Sequence, residues 1–513
     1  MQLRAWWMAI LCVGLGACSS GLDALGGSGG GAGDEFSVST DVEWLRVRQS
    51  ESAEVAVEVQ RSEVRGDIEV AVEGLPSAAV ADSITIPAGS SSGTLTIETL
   101  VMTAQGGPQP ITIAATSLED TTRTTQTGID LYIAGRPGTL DASFNFDRYS
   151  VAPGSLENPR DVAVDSRGRI LIAGRSEGGS VGKNGFLLRF LNDGAIDQAF
   201  GEGGEVHDFG PGESFALQVL VRPDDSLLVF AFFNDATTTL NVSYLRAFDP
   251  TGAIDTDYGT GGDVLLEGLD PQTSRFISRQ SDLVFYATQT MQAFDLQGQT
   301  LPSFNFEPIP INEGSILAVG ADLQDRVLFS YLADDWTIRR TRADGTPDTS
   351  FAAAGWLIVD PPSDHSMPRV RPIATRPNDG GVAMASSQAD GASSIENRVV
   401  LIRFGPDGTL DPGFGSGGVL EVLPESDPGF GRFVLVQPDD GIITVLTQNS
   451  AFVRRFNPDG SVDATFGSNG SVALPFFPSV VGHDVRGDRL IIVGTEFDTQ
   501  SSTSFVTMTR IWL

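Results

Sequence analysis

The sequence predicts an all-β chain: a small sandwich, then a ring of seven short antiparallel sheets whose last member is assembled from both ends of the repeat region. Three observations carry this expectation. Apolar residues alternate at period two between Phe36 and Ala134, a glycine-to-aromatic motif recurs seven times after Arg136-Pro137, and the two ends of that repeat region are complementary fragments of one unit. Gly, Ser, Thr and Val dominate, hydrophobic runs are short, and no long helical period interrupts them.

A length of 513 residues allows several domains, each with its own core. The 33 basic and 66 acidic side chains leave a formal net charge of −33. Such a surplus repels nucleic-acid phosphates and anionic lipid surfaces, and nucleic acid is therefore not an expected partner. It favours cations or basic partners without establishing either.

Residues 1–17 read as an export signal: one positive charge at Arg4, then the apolar run Ala5 to Gly16, too short for a permanent membrane span. "Leu15-Gly16-Ala17-Cys18" resembles the lipobox of bacterial lipoproteins, which implies that Cys18 becomes the acylated first residue and anchors the chain in a membrane. By the same resemblance, Ser19 after the cysteine implies an outer-membrane address, on the periplasmic or the cell-surface side. Cys12 falls in the removed segment, so the mature chain keeps no thiol for a disulfide or thiolate metal site. Residues 18–35, "CSSGLDALGGSGGGAGDE", form a Gly/Ser-rich tether.

Residues 36–135 contain the alternating segments Val55-Val57-Val59, Ile68-Val70-Val72, Ile84-Ile86, Leu95-Ile97, Ile111-Ile113 and Ile129-Leu131-Ile133, separated by turn-rich stretches. One apolar face per strand over about 100 residues predicts an antiparallel sandwich. It resembles bacterial immunoglobulin-like modules, without a cysteine pair, and reads as a spacer.

Residues 136–513 hold the repeat. A glycine precedes an aromatic by six residues at Gly138/Phe144, Gly194/Phe200, Gly252/Tyr258, Gly298/Phe304, Gly345/Phe351, Gly408/Phe414 and Gly460/Phe466. Three residues after the glycine stands Asp141, Asp197, Asp255, Asp348, Asp411 or Asp463; only the Gly298 copy breaks the pattern, with Leu301. Aromatics recur every 46 to 63 residues, room for four short strands. The motif G-x-L-D-x-x-F-G-x-G-G after an R-F strand resembles the delta-60 repeat of bacterial surface and secreted proteins, which implies a β-propeller. The region opens with a turn and an outer-strand candidate, "FNFDRYSV", and ends in an R-F-type strand, "SFVTMTRIWL". Joining them completes a seventh blade and removes exposed sheet edges.

Most of the repeated glycine suits tight turns. No lysine follows these glycines in a phosphate-loop register, so no nucleotide is expected. No cofactor is expected either. Calcium is the alternative, but each repeat offers one or two carboxylates where six to eight oxygens are wanted. Arg189, Arg340, Arg403 and Arg455, each five residues before its glycine, supply an ion-pair partner for the aspartate instead. The histidines are His207 in an outer strand, His365 in the loop "PPSDHSMP" and His483 beside Asp484 in an innermost strand. His483 and Asp484 are the candidates for a catalytic site at the central channel. Arg486-Gly487-Asp488 occupies a hairpin turn, and a turn is the better reading of it than an adhesion tripeptide.

In a four-stranded meander the first and third connections share one rim; the second connections and blade links share the other. The latter vary widely in length, as in "RSEGGSVGKNG" and "DPPSDHSMPRVRP". The expected function is a noncatalytic, surface-anchored binding scaffold that meets an extracellular protein or glycan through this rim. The alternative is a propeller hydrolase or lyase acting at the channel, with or without calcium.

Overall fold

The computed structural model describes residues 36–513 other than 153–154, 179–181, 208, 211, 235–240, 268, 270–273, 281, 310–314, 332–334, 361–364, 377–379, 390–397, 425–428 and 484–487. The expected signal peptide, Cys18, the tether and Asp484 thus lie outside the described residues. Every element described is a strand, and among the described residues no helix is long and apolar enough to cross a membrane.

Residues 36–134 fold as two packed sheets. One has the order Phe36–Thr40, Ser52–Arg61, Ser92–Thr99, Ala79–Ala81; the other Trp44–Arg48, Thr124–Ala134, Gly106–Ser117, Ile68–Glu73, Ile84–Ile86. All pairings are antiparallel except Trp44–Arg48, which runs parallel to Thr124–Ala134. The period-two residues Val55, Val57, Val70, Leu95, Ile97, Ile113 and Leu131 meet between the sheets, each wholly removed from solvent.

Seven further sheets follow among the described residues. Their leading strands are Ser155–Val164, Ser214–Val221, Arg275–Ser278, Ile316–Ala321, His365–Thr375, Phe430–Val436 and Pro478–His483, and within each sheet the strands pair antiparallel in chain order. His365 therefore opens a strand, where the sequence suggested a loop; its backbone pairs with Ala389. Five of the sheets have four strands, while the third and seventh have three.

A single glycine explains that difference. In the five complete sheets the residue four after the aromatic is Gly204, Gly262, Gly355, Gly418 or Gly470, each at φ between 84° and 103°. Its N–H donates to the aromatic's own carbonyl and turns the chain back into a fourth strand. A Cβ there meets neighbouring atoms, at 2.3 Å from Ile196 for Gly204 and 2.7 Å from Leu410 for Gly418. After Phe144 and Phe304 the corresponding residues are Arg148 and Pro308, and no strand forms. "FNFDRYSV" accordingly touches the strand Thr503–Trp512 through one isolated antiparallel bridge, Tyr149 with Val506, and the turn before it does so through another, Leu140 with Ile511, rather than as the continuous outer strand expected from the sequence.

Consecutive sheets pack through their leading strands, Ser155–Val164 on Ser214–Val221, His365–Thr375 on Phe430–Val436, and Pro478–His483 back on Ser155–Val164. One apolar cluster joins Ile170, Phe186 and Leu188 of the first sheet to Ile491, Val493 and Val506 of the last. The repeated turns are linked as well. After six of the seven aromatics, Tyr258 being the exception, the N–H of the next residue reaches the carbonyl before the next motif glycine: Asn145 to Asp193 at 2.7 Å, Gly201 to Thr251 at 2.8 Å, Asn305 to Asp344 at 2.6 Å, Ala352 to Asp407 at 2.6 Å, Gly415 to Asp459 at 3.0 Å and Gly467 back to Pro137 at 3.2 Å.

Over each aromatic sits a guanidinium. Arg189 lies 4.2 Å from the Phe200 ring, Arg340 4.5 Å from Phe351, Arg403 5.7 Å from Phe414 and Arg455 5.3 Å from Phe466. The opening turn borrows its arginine from the far end of the chain: Arg510 stands 4.7 Å from Phe144, and its Nε donates to Asp141 Oδ2 at 2.8 Å. The Gly252 and Gly298 copies have Ala247 and Ala293 at the usual arginine position. There Arg222 and Arg279, from the first hairpin of the sheet, cover Tyr258 and Phe304 at 5.7 and 5.3 Å.

The sandwich rests on this closure. Arg46 pairs with Asp488 at 2.7 Å, Arg48 donates to the Leu513 carbonyl at 2.9 Å, and the Trp512 indole donates to Gln105 at 3.0 Å.

The Asp141 and Arg510 side chains are no more than 1% exposed, so removing Arg510 leaves a buried carboxylate with only the more distant Arg489, at 3.6 Å, to balance it. Arg510→Ala is expected to lower stability by about 3–5 kcal/mol in chemical denaturation. Asp411→Asn, where the carboxylate is 29% exposed, is expected to cost about 1 kcal/mol or less. Equal losses would show that the Arg510 pair does not carry the closure.

Candidate functional site

The repeat aspartates are engaged in holding their turns. Asp348 Oδ1 accepts the Ser350 N–H at 3.1 Å and its hydroxyl at 2.5 Å, while Oδ2 accepts Arg340 Nε at 2.8 Å. Asp141, Asp197 and Asp463 repeat this with Ser143, Ala199 and Thr465 on one oxygen and Arg510, Arg189 and Arg455 on the other. Asp411 accepts the Gly413 N–H at 3.0 Å and pairs with Arg403 at 3.0 Å; Asp255 has the looser Arg222 at 3.9 Å. Burial raises the Asp348 and Asp463 carboxyls, but the combined hydrogen bonds and arginines win and hold both below the usual range. Among the described residues no group of three His, Cys, Asp or Glu side chains is placed to hold a metal.

The histidines are apart in the topology. His207 follows the short strand Glu205–Val206, its Nε2 2.5 Å from Glu205 Oε2, and the Tyr149 hydroxyl donates to the other oxygen of the same carboxylate. Burial, then the Glu205 hydrogen bond, push the Tyr149 phenol up. This cluster fastens the opening segment to the first sheet. His483 ends the leading strand Pro478–His483, its backbone paired with Leu490; its side chain, like Asp484, lies outside the described residues.

The leading strands carry a second set of polar groups, which sequence reasoning missed. Their signal is structural: six of the seven leading strands contain register shifts. In the first, the shift between Pro159 and Asp161 leaves Arg160 as the extra residue. A bulge re-aims side chains out of the ordinary alternation. Asp161 then reaches the next leading strand and accepts the Val219 N–H at 2.9 Å. Gln218, at the matching place in the second sheet, clasps Phe276 N–H at 2.6 Å and its carbonyl at 3.1 Å.

Arg160 is exposed to solvent yet crowded by protein, and no acidic side chain pairs with it among the described residues. Burial first, then the charges of Arg275 and Arg175, pull its guanidinium below the usual arginine range. Arg175 is accounted for by Glu177 at 2.8 Å and the Phe215 ring at 4.2 Å, and Arg275 donates to the Ser274 carbonyl at 2.6 Å. Nearby Glu157 is 4% exposed. Its Oε1 accepts Ser155 Oγ at 2.6 Å and the Val151 N–H at 3.1 Å, while Oε2 has no partner. Burial raises this carboxyl, which favours the neutral acid. A guanidinium without an acidic partner is a group that can meet an anion.

Residues 389–414 and 440–466 match the family model described as "Domain of unknown function (DUF5122) beta-propeller". The curated proteins include no match to the chain. Among solved structures, a protein of unknown function from Bacteroides caccae is 10% identical, covering 71% of this chain and 95% of its own, with a TM-score of 0.29. A two-domain protein of unknown function from Bacteroides fragilis is 12% identical over 45% of this chain and 83% of its own, with a TM-score of 0.15. These scores carry no argument about this chain. The all-β architecture and the family match together support a β-propeller.

Asp161 provides a measurable consequence. Burial pushes its carboxyl up to about 7, against the backbone N–H bonds from Val219 and Val162. In the unfolded chain the group titrates near about 3.9. Folding therefore takes up a proton between these values, and Asp161's contribution is full below pH ~4 and is lost as pH rises through ~7. Asp161→Asn keeps an acceptor for Val219. Its stability relative to the parent is expected to improve on going from pH 5 to pH 8 by on the order of 1 kcal/mol or more in urea denaturation. A pH-independent difference would refute the raised value.

Proposed function

We propose that this protein is an outer-membrane lipoprotein, anchored through Cys18, in which an immunoglobulin-like spacer carries a seven-bladed propeller that binds an extracellular protein or glycan without chemical change. The sandwich's two sheet orders and its alternating Val/Ile core support the spacer reading. Seven sheets in chain order, with Gly467 bonded to Pro137 and Arg510 to Asp141, support seven blades closed by both ends of the repeat region. The delta-60 identity rests on the repeated motif itself.

The observation that carries the binding reading is the contrast between the two rims. On one, first and third connections are short and fastened to their neighbours: Ser166 N–H and hydroxyl to Asp225 at 2.9 and 2.8 Å, Gln280 N–H to Asp325 at 2.9 Å, Arg376 to Asp440 at 2.6 Å. On the other rim the connections differ in length from blade to blade. A scaffold fixed on one side and varied on the other is what a binding surface needs.

Two measurements test this. Cys18→Ser is expected to move the protein from the membrane fraction to the soluble one; unchanged fractionation would remove the lipid anchor. The immobilised chain, screened against extracellular proteins and glycans, is expected to retain a ligand and release it unaltered, with retention lost when residues 390–397 are replaced by a Gly/Ser segment. Recovery of a cleaved ligand would instead favour the channel hydrolase or lyase with His483 and Asp484.

A further inference from the structure

One side chain of the sandwich holds both ends of the repeat region. Gln105 Oε1 accepts the Trp512 indole N–H at 3.0 Å and the Ala142 N–H at 2.9 Å. Trp512 ends the last strand, whereas Ala142 stands in the opening turn, so the two donors lie on either side of the seam. Across that seam Trp512 N–H reaches the Thr139 carbonyl at 3.0 Å, Asp141 N–H the Arg510 carbonyl at 2.9 Å, and Val506 N–H the Tyr149 carbonyl at 2.7 Å. Gln105 is itself held in place: its Nε2 donates to Gln49 Oε1 at 3.1 Å, and Gln49 donates to the Thr103 carbonyl at 2.6 Å. Trp512 is 2% exposed, covered by Arg489 at 4.4 Å and by the backbone of Gly135, where a Cβ would stand 2.2 Å from the ring.

These contacts, with those of Arg46 and Arg48, come from one end of the sandwich and meet one rim of the ring. Arg48 ends Trp44–Arg48, Gln105 precedes Gly106–Ser117 and Gly135 follows Thr124–Ala134. Asp488 lies between the first and second strands of its sheet, and Trp512 with Ala142 lies at the connection after the third. Both connections belong to the rim of fastened turns. Phe36, which residues 18–35 precede, lies at the other end of the sandwich. It pairs with Arg61, the last residue of a strand whose first, Ser52, follows Arg48 after a short turn. That strand spans roughly 30 Å at about 3.3 Å per residue. From Phe36 outward the order is therefore sandwich, fastened rim, variable rim.

We propose that the sandwich is a rigid clasp across the seam, and that this docking aims the variable rim away from the tether, toward a partner outside the bilayer that carries the protein. The clasp stands on the contacts themselves; the direction of the partner rests on the anchor and binding readings above. Removing the Gln105 acceptor leaves the Trp512 indole and the Ala142 N–H without their shared partner, a loss felt on both sides of the seam at once.

Hydrogen exchange of the full chain tests the clasp through the Val506 and Trp512 amides, which bond across the seam. Gln105→Ala is expected to speed their exchange about tenfold or more, while the amides of Ile442–Thr447 in the preceding sheet keep the parental rate. Unchanged seam amides overturn the clasp, and so does equal acceleration in both places, which marks general destabilisation. The direction is read in a Cys12→Ser/Cys18→Ser background, free of thiols whether or not a lipid anchor forms. Spin labels at Ser90→Cys, beside the Arg61 end of the sandwich, and at Gln500→Cys, on the variable rim, are expected to give one narrow distance distribution beyond about 40 Å. A broad distribution, or one centred below that distance, overturns the mount. Unchanged fractionation of Cys18→Ser would remove the anchor reading and move neither of these results.

Discussion

An arginine lying across an aromatic ring at the start of each repeat is the contact on which the ring of sheets depends. At Arg189, Arg340 and Arg403 it does three things at once. Arg340 Nε meets Asp348 at 2.8 Å, its Nη1 reaches the Pro406 carbonyl of the following repeat at 2.5 Å, and its plane covers Phe351. Burial lowers the Arg189, Arg340 and Arg403 guanidinium groups, so removal from water is a real cost at each. A cation–π contact of about 0.5–2 kcal/mol does not offset this alone. The carboxylate and the neighbouring carbonyl must both be present, and the second belongs to the adjacent sheet. Arg189, Arg279, Arg340, Arg403 and Arg510 are therefore satisfied only when the neighbour is docked, which couples sheet to sheet at these five places.

The substitutions within the chain show which part of the contact is indispensable. The aspartate is lost at Leu301 and the strand arginine at Ala247 and Ala293, but a guanidinium over the aromatic is kept seven times. Arg279 reaches the Ala343 carbonyl at 2.7 Å, the position that Pro406 fills for Arg340. It carries its own carboxylate too, Asp282 at 2.6 Å. The aspartate of the turn is thus one way to balance the charge, whereas the guanidinium on the ring face is the constant; five of the seven also reach a carbonyl of the next turn.

This divides what the sequence makes legible from what it hides. The turn glycines, aromatics and aspartates repeat at fixed spacing, because local backbone geometry demands them, and self-comparison finds them. The loss of a fourth strand after Phe304 is legible in the missing glycine at Pro308. Arg222 and Arg279 are not legible, since they substitute from another hairpin and only proximity in space relates them to Tyr258 and Phe304. Arg510 with Asp141 sits between the two cases: the complementary ends are visible, but the contact spans 369 positions. Arg160 is hidden for a different reason. A bulge changes which face a side chain takes without changing composition or periodicity enough to be seen.

The acidic surplus also changes meaning once the turns are resolved. Asp344, Asp407 and Asp459 each accept an N–H and a hydroxyl from the residue two positions on, Thr346, Thr409 and Ser461. Those bonds hold all three carboxyls below their usual range. Aspartate is used here because it closes a turn, and repeating the turn multiplies the charge. A large share of the negative field is then a by-product of building the ring and carries no information about a ligand. Arginine on a leading strand has no such local role: Arg160 closes no turn and pairs with no acid among the described residues. A residue that the backbone does not require, in a position where its charge is costly, says more about function than the repeated aspartates do.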